Sequence, residues 1–294
     1  MTRVFLDSSG SVRNGWKILG FAALLSLCMM ALGMLGLWRQ LGVEWGMALA
    51  VLAVTVLCLR LEREPFPVVG LKPSLRWGAD FAAGAMGGVL LMLLVAGCIF
   101  AFHGLHWQRS GGAGFRELMA GAWLYLAVAV GEELLFRGYL FQRLIKGTGP
   151  WISLLLMGLW FAYAHWDNPG MAGSVKVWAT LNIFLAGLLL GLAYLKTRRL
   201  ALPMGIHLGW NWAQGSLLGF GVSGTMDTRG WVNPVFEGRP EWLTGGAFGL
   251  EASLPCAIFC GVAILGLAFW KPRQESRCSK ITFASRWRER HKGP

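Results

Sequence analysis

Between Gly121 and Leu140 the chain reads GAWLYLAVAVGEELLFRGYL. An apolar run leads into two adjacent glutamates, Glu132 and Glu133, with Arg137 one helical turn further on. The run is long enough to cross a bilayer, and a carboxylate inside such a segment is costly enough to need a partner or a task. Whether the run is a membrane span or a buried soluble helix is decided by the rest of the chain. The 294 residues are 55% hydrophobic and only 14% charged, with a mean hydropathy of +0.52. A soluble domain averages about 25% charged residues, so there is too little polar surface here to cover a water-soluble globule. The 16 Trp and 17 Phe exclude a disordered chain.

Working outward from 117–141, further apolar stretches lie near 17–37, 43–59, 79–102, 150–166, 176–196, 200–220 and 251–270. Each approaches the roughly 20 residues needed to span a bilayer. The expected fold class is therefore all-α, a polytopic transmembrane helical bundle of about eight spans. The chain divides into an N-terminal segment (1–16), three spans with connectors (17–116), a four-span core (117–220), an extracytoplasmic or re-entrant loop (221–250), a last span (251–270) and a basic tail (271–294). The loop is rich in Gly, Pro and Trp and too short for a domain of its own. The spacings Gly84/Gly88, Gly187/Gly191 and Gly205/Gly209 suit close helix crossings.

The net charge of +12 invites a nucleic-acid reading, but its distribution points to a membrane. Arg3, Arg13 and Lys17, then Arg60, Arg63, Lys72 and Arg76, then Arg137, Arg143 and Lys146, then Lys196, Arg198 and Arg199, and finally eight residues after Trp270 all fall on one side. That side holds 21 of the 27 Lys and Arg, so the positive-inside rule places both termini in the cytoplasm. The expected location is a cell membrane, crossed several times, of a bacterial inner or plasma type, with the tail on anionic headgroups. The partners expected are membrane lipids and a membrane-anchored peptide or protein, with no nucleic acid; the sequence leaves the oligomeric state open. Cys28, Cys58, Cys98, Cys256 and Cys260 lie within spans, Cys278 lies in the tail, and no structural disulfide is expected. The first apolar run lacks a small-residue cleavage site and reads as an uncleaved anchor.

Most of the 15 acidic residues and 5 histidines fall in loops or at span ends, Glu251 among them. Inside the spans stand Glu132, Glu133, His165 and His207. Glu133 and Arg137 are i, i+4 in the favourable acid-first order, which neutralises one glutamate and leaves Glu132, about 100° around the helix, free. Such a pair can also simply tie two helices together. Phe161 and His165 are one turn apart, so the ring can wall the imidazole. His207 and Asn211 project from one helix face as two donors, although Asn211 alone can be interhelical glue.

A glutamate base and a histidine can activate water and return the proton to a leaving amine. A second histidine with an asparagine can stabilise the oxyanion of a tetrahedral intermediate. No Ser or Cys occupies an evident nucleophile motif, so water attack is the economical chemistry. Glu132, His165 and His207 would also satisfy a catalytic zinc ion, although an H-E-x-x-H helix is missing. Metal use is left open, with metal-free catalysis favoured.

The ordered set E-E-x-x-x-R (Glu132 to Arg137), F-x-x-x-H (Phe161 to His165) and H-x-x-x-N (His207 to Asn211) resembles the CPBP intramembrane protease family. That family includes the Ras-converting CAAX prenyl endopeptidases and bacterial proteins of the abortive-infection type. The resemblance covers about Gly121 to Leu218. It implies that Glu132 and His165 activate the water, that His207 and Asn211 form the oxyanion site, and that Glu133 and Arg137 hold the cavity in shape. Two readings from other classes compete with the peptidase. One is a proton-coupled transporter with Glu132, His165 and His207 as a relay, and the other is a non-catalytic immunity or scaffold protein. The charge count leaves one conflict, since it puts His165 near the outer end of span five while Glu132 and His207 lie deeper. Either span five is displaced or the segment 138–149 dips into the membrane.

Overall fold

The computed structural model describes residues 2–7, 9–111, 114–226 and 228–271. The basic tail beyond Lys271, with Cys278, lies outside the described residues. A one-turn helix α1 (Thr2–Phe5) precedes α2 (Asn14–Met34), the short α3 (Trp38–Leu41), α4 (Val43–Leu61) and α5 (Leu75–Ala101). Strand β1 (Leu105–Arg109) leads to α6 (Phe115–Arg137), α7 (Tyr139–Thr148), α8 (Pro150–Ala164), α9 (Gly173–Thr197) and α10 (Ala201–Asn211). A π-helical turn, Trp212–Leu217, continues α10. Strand β2 (Val232–Phe236), the short α11 (Glu241–Thr244) and α12 (Leu254–Phe269) complete the order.

The protein is a helical, membrane-type fold. Five helical segments among the described residues are long and apolar enough to cross a bilayer: Asn14–Met34, Val43–Leu61, Leu75–Ala101, Phe115–Thr148 and Gly173–Thr197. Pro150–Ala164 and Leu254–Phe269 are apolar but shorter. Two boundaries differ from those read in the sequence. The span expected at 117–141 breaks at Gly138, whose ψ of −125° is not helical and where a Cβ would meet the Leu134 carbonyl carbon at 3.1 Å. The span expected at 150–166 ends at Ala164, because Pro150 fixes its first turn and His165 has left helical geometry.

The glycine spacings set how closely the helices cross. A Cβ on Gly84 would sit 2.9 Å from the Ile206 nitrogen, and one on Gly88 would sit 2.7 Å from the Trp210 nitrogen. Reciprocally, a Cβ on Gly205 would sit 2.8 Å from the Ala85 nitrogen, and Gly209 is equally tight against Ala85. Helices α5 and α10 therefore touch backbone to backbone, a contact open only to small residues. Gly187 on α9 makes the same kind of approach to Gly158 on α8, where its Cβ would sit 2.9 Å from Cα. These crossings fix α10 against α5 and α8 against α9.

One end of the bundle gathers the charges. Glu62 accepts from Lys17 and Arg143, both at 2.8 Å, and from the Tyr139 hydroxyl. Lys146 pairs with Glu64 at 3.0 Å, and Arg199 with Asp80 at 2.7 Å. Lys196 donates to the carbonyls of Ala268 and Trp270 at the end of α12. Basic groups at the start of α2, in α7 and after α9 thus meet the acids of the α4–α5 connector and of the first turns of α5. At Glu62 burial pushes the carboxyl up, but the hydrogen bonds from Lys17 and Tyr139 and the charge on Arg143 outweigh it and hold it below the usual carboxylate range.

The remaining surprise is a small antiparallel sheet in a fold expected to be all helix. β1 pairs with β2 in the register Leu105↔Phe236 to Arg109↔Val232. The loop 221–250 is thereby tied to the segment after α5, and the residues from Val222 to Thr225 turn inward.

Candidate active site

Helix α6 delivers its two glutamates to different neighbours. Glu133 is fully buried, and its Oε1 accepts from Arg137 Nη1 at 2.9 Å along the same helix. The same oxygen lies 2.9 Å from His207 Nδ1 on α10. Arg137, also buried, spends Nη2 on the Gly187 carbonyl of α9 at 3.0 Å and packs its guanidinium 4.8 Å from the centre of the Phe161 ring. The i, i+4 pair is thus one piece of a junction joining α6, α8, α9 and α10.

Glu132, the next residue, faces elsewhere. Its Oε2 is buried with no hydrogen-bond partner among the described residues and stands 3.8 Å from His207 Nε2. That separation is too long for a hydrogen bond. The carboxylate and the ring nitrogen therefore stand side by side with their hydrogen-bonding capacity unspent on each other.

His165 caps the C-terminal end of α8, and its Nδ1 lies 2.7 Å from the Phe161 carbonyl oxygen. A carbonyl only accepts, so Nδ1 carries the hydrogen and Nε2 is left as the acceptor. The Phe161 ring sits 4.8 Å from His165 and 6.2 Å from His207, a wall between the two imidazoles. Asn211, one turn beyond His207, is buried as well.

Glu132, His165, His207 and Asn211 all line one cavity of about 190 Å³, with Phe161 beside them. A water needs about 10–15 Å³ of such space, so there is room for several waters or a substrate group. Helix α8 is short, its 15 residues rising about 22 Å, and His165 at its end lines the same cavity as Glu132 of α6.

Sequence reasoning missed part of this cavity. Asn182, Ser223 and Glu251 also line it. Glu251 had been placed with the span-end acids, yet it is only 6% exposed and accepts from Trp210 Nε1 at 2.9 Å, Ser223 N at 2.6 Å and Ser223 Oγ at 3.0 Å. The signal lay in its surroundings, since no other charged residue falls between Glu241 and Lys271. Among the described residues no three His, Cys, Asp or Glu converge closely enough to share a metal ion. Glu132 and His207 adjoin, but His165 does not complete a triad with them, and His207 Nδ1 is already taken by Glu133.

No curated protein matches the chain. Residues 114–213, about a third of the chain, match the family model described as type II CAAX prenyl endopeptidase Rce1-like. That match supports placing the protein in the CPBP family, and it spans every motif residue from Glu132 to Asn211.

Proposed function

We propose that the protein is an intramembrane endopeptidase that hydrolyses a peptide bond of a membrane-anchored substrate with an activated water. The observation that carries this reading is the convergence of Glu132, His165, His207 and Asn211, from α6, α8 and α10, on one buried cavity. Glu132 offers a carboxylate oxygen with no protein partner, which suits a base waiting for a water proton. His165 Nε2 is an acceptor that orients the same water.

As the water oxygen bonds to the carbonyl carbon, Glu132 takes its proton and the carbonyl oxygen becomes an oxyanion. His207 Nε2–H and the Asn211 amide donate to that oxyanion. Collapse breaks the C–N bond, and the proton held by Glu132 passes to the leaving amine. Glu133 works through His207, since its bond to Nδ1 fixes the ring, and Arg137 fixes Glu133. The scattered ligand set favours chemistry without a metal ion, while the Glu133 bond to Nδ1 leaves His207 Nε2 free for either use. The protein would sit in a bacterial cell membrane as a multi-pass bundle of about eight membrane segments, with the charged end of the bundle and both termini in the cytoplasm.

The decisive experiment is proteolysis of membrane-anchored peptides by purified protein, wild type against Glu132→Ala, with and without chelator. Cleavage by wild type alone, insensitive to chelation, is the expected result. Equal cleavage by the variant removes Glu132 from the mechanism, and loss of cleavage on chelation restores the metal reading.

A further inference from the structure

The catalytic cavity has a second polar patch that the water-activating residues do not use. Asn182 on α9 is fully buried, and its Nδ2 donates to the carbonyl oxygens of Glu251 at 2.7 Å and Ser253 at 2.8 Å. Both partners are acceptors, so the amide cannot be turned around, and Oδ1 is fixed as an acceptor. That oxygen is buried with no donor among the described residues. Glu251, which lines the same cavity, accepts from four donors: Trp210 Nε1, Ser223 N, Ser223 Oγ and, at 3.4 Å, Gln214 Nε2. All four are neutral. Glu133 has Arg137 and His207 to balance it, but no cationic side chain among the described residues pairs with Glu251.

A buried carboxylate held by neutral donors alone, in a cavity that also holds a buried acceptor without a protein donor, favours a donor-rich cation over a neutral group. A backbone amide has one hydrogen to give and no charge. An ammonium has three and a guanidinium five. We propose that Asn182 and Glu251 form a specificity subsite for a lysine or arginine side chain of the peptide substrate. The proposal rests on the peptidase reading, because the subsite opens into the cavity that holds Glu132. Trp210 links the two patches, since it is bonded to Glu251 and adjoins Asn211 in α10.

The test uses fluorescent peptides that differ only by lysine or norleucine at successive positions around the scissile bond. Binding is measured to the full-length Glu132→Gln protein in detergent, and cleavage by the wild type. At one position lysine should bind about tenfold or more tighter than norleucine, as expected for a buried charge-assisted hydrogen bond. Glu251→Gln, which keeps the shape and removes the charge, should bring that ratio close to one. An arm that leaves Glu251 intact guards against misfolding of its variant: n-butylammonium should displace the lysine peptide from the Glu132→Gln protein, while n-butanol should not. Equal binding of the two peptides at every position, a lysine preference that survives Glu251→Gln, or no displacement by butylammonium overturns the subsite. A lysine preference in binding without any cleavage by wild type keeps the subsite and ends the peptidase reading instead.

Discussion

His207 Nδ1 lies 2.9 Å from Glu133 Oε1, a bond that joins α10 to α6 across 74 positions of sequence. The same oxygen holds Arg137, so one buried atom fixes both the helix pair and the direction of the imidazole. Removing Glu133 leaves a buried guanidinium uncompensated, at a cost of about 3–5 kcal/mol. Glu133→Ala and Arg137→Ala should therefore both lower melting temperature or yield, and lower activity with it. Thermal unfolding of the purified variants checks this. Two variants as stable as wild type yet inactive would move the pair into the chemical step.

Glu132 makes the opposite prediction. Its Oε2 has no hydrogen-bond partner among the described residues, so Glu132→Gln should fold and insert normally. It should nevertheless lose peptidase activity, because an amide cannot take the water proton. Full activity of this variant on any accepted substrate would end the proposed mechanism.

What the sequence disclosed was local, and what it hid was distant. The i, i+4 spacings of Glu133/Arg137, Phe161/His165 and His207/Asn211 follow from helix geometry alone. So do the glycine pairs, two of which lie in the α5–α10 crossing and one in the α8–α9 crossing. The Glu133–His207 bond was invisible, because spacing within one helix says nothing about which face another helix turns toward it. The early end of α8 was hidden for a different reason, since Trp166 prolongs the apolar run past the last helical residue. Glu251 resembled a span-end charge, and Asn182 carried no signal of its own, because their partners at Ser223 and Ser253 lie 28 and 71 positions away. β1 and β2 gave no hairpin signal, because 122 residues separate Arg109 from its partner Val232 outside the short strands themselves.

The α5–α10 crossing should tolerate no added bulk. A Cβ at Gly209 already meets the Ala85 carbonyl carbon at 2.8 Å, and backbone cannot swing aside as a side chain can. Gly209→Val should push α10 away from α5 and shift His207 and Asn211 with it. A misplacement of about 1 Å can cost on the order of 100-fold in rate. Gly87, on α5 with nothing within 4 Å of its would-be Cβ, is the control, and Gly87→Ala should be neutral. Comparable damage from both substitutions would show that the crossing is not what positions the site.

Glu62 predicts a pH dependence far from the chemistry. Its folded carboxyl is held below the ordinary value of 4.5, so the unfolded chain binds a proton more readily there than the native one. The stabilisation from Lys17, Tyr139 and Arg143 is then fully present above about pH 4.5 and fades as the pH falls through the lower native value. Glu62→Gln should remove this dependence and lower the melting temperature at neutral pH. Melting curves of both proteins in detergent between about pH 3 and pH 7 should converge at the acid end. Parallel curves would mean that Glu62 titrates alike in both states.

The oxyanion assignment meets its test at Asn211 and His207. Asn211 lines the cavity one turn from His207. Truncation to Ala should leave peptide binding nearly unchanged and cut turnover about 10²–10³-fold, as loss of one oxyanion donor does elsewhere. His207 carries a choice between two chemistries. As an oxyanion donor it needs a hydrogen on Nε2, with Nδ1–H held by Glu133. As a zinc ligand it would give Nε2 to the metal, and Glu132 beside it would be drawn in as a second ligand. Metal analysis of purified protein separates the two. Stoichiometric zinc that disappears in His207→Ala removes the oxyanion role from that residue, whereas a metal-free wild type with full activity leaves the proton on Nε2 as the only use for a ring that Glu133 already orients.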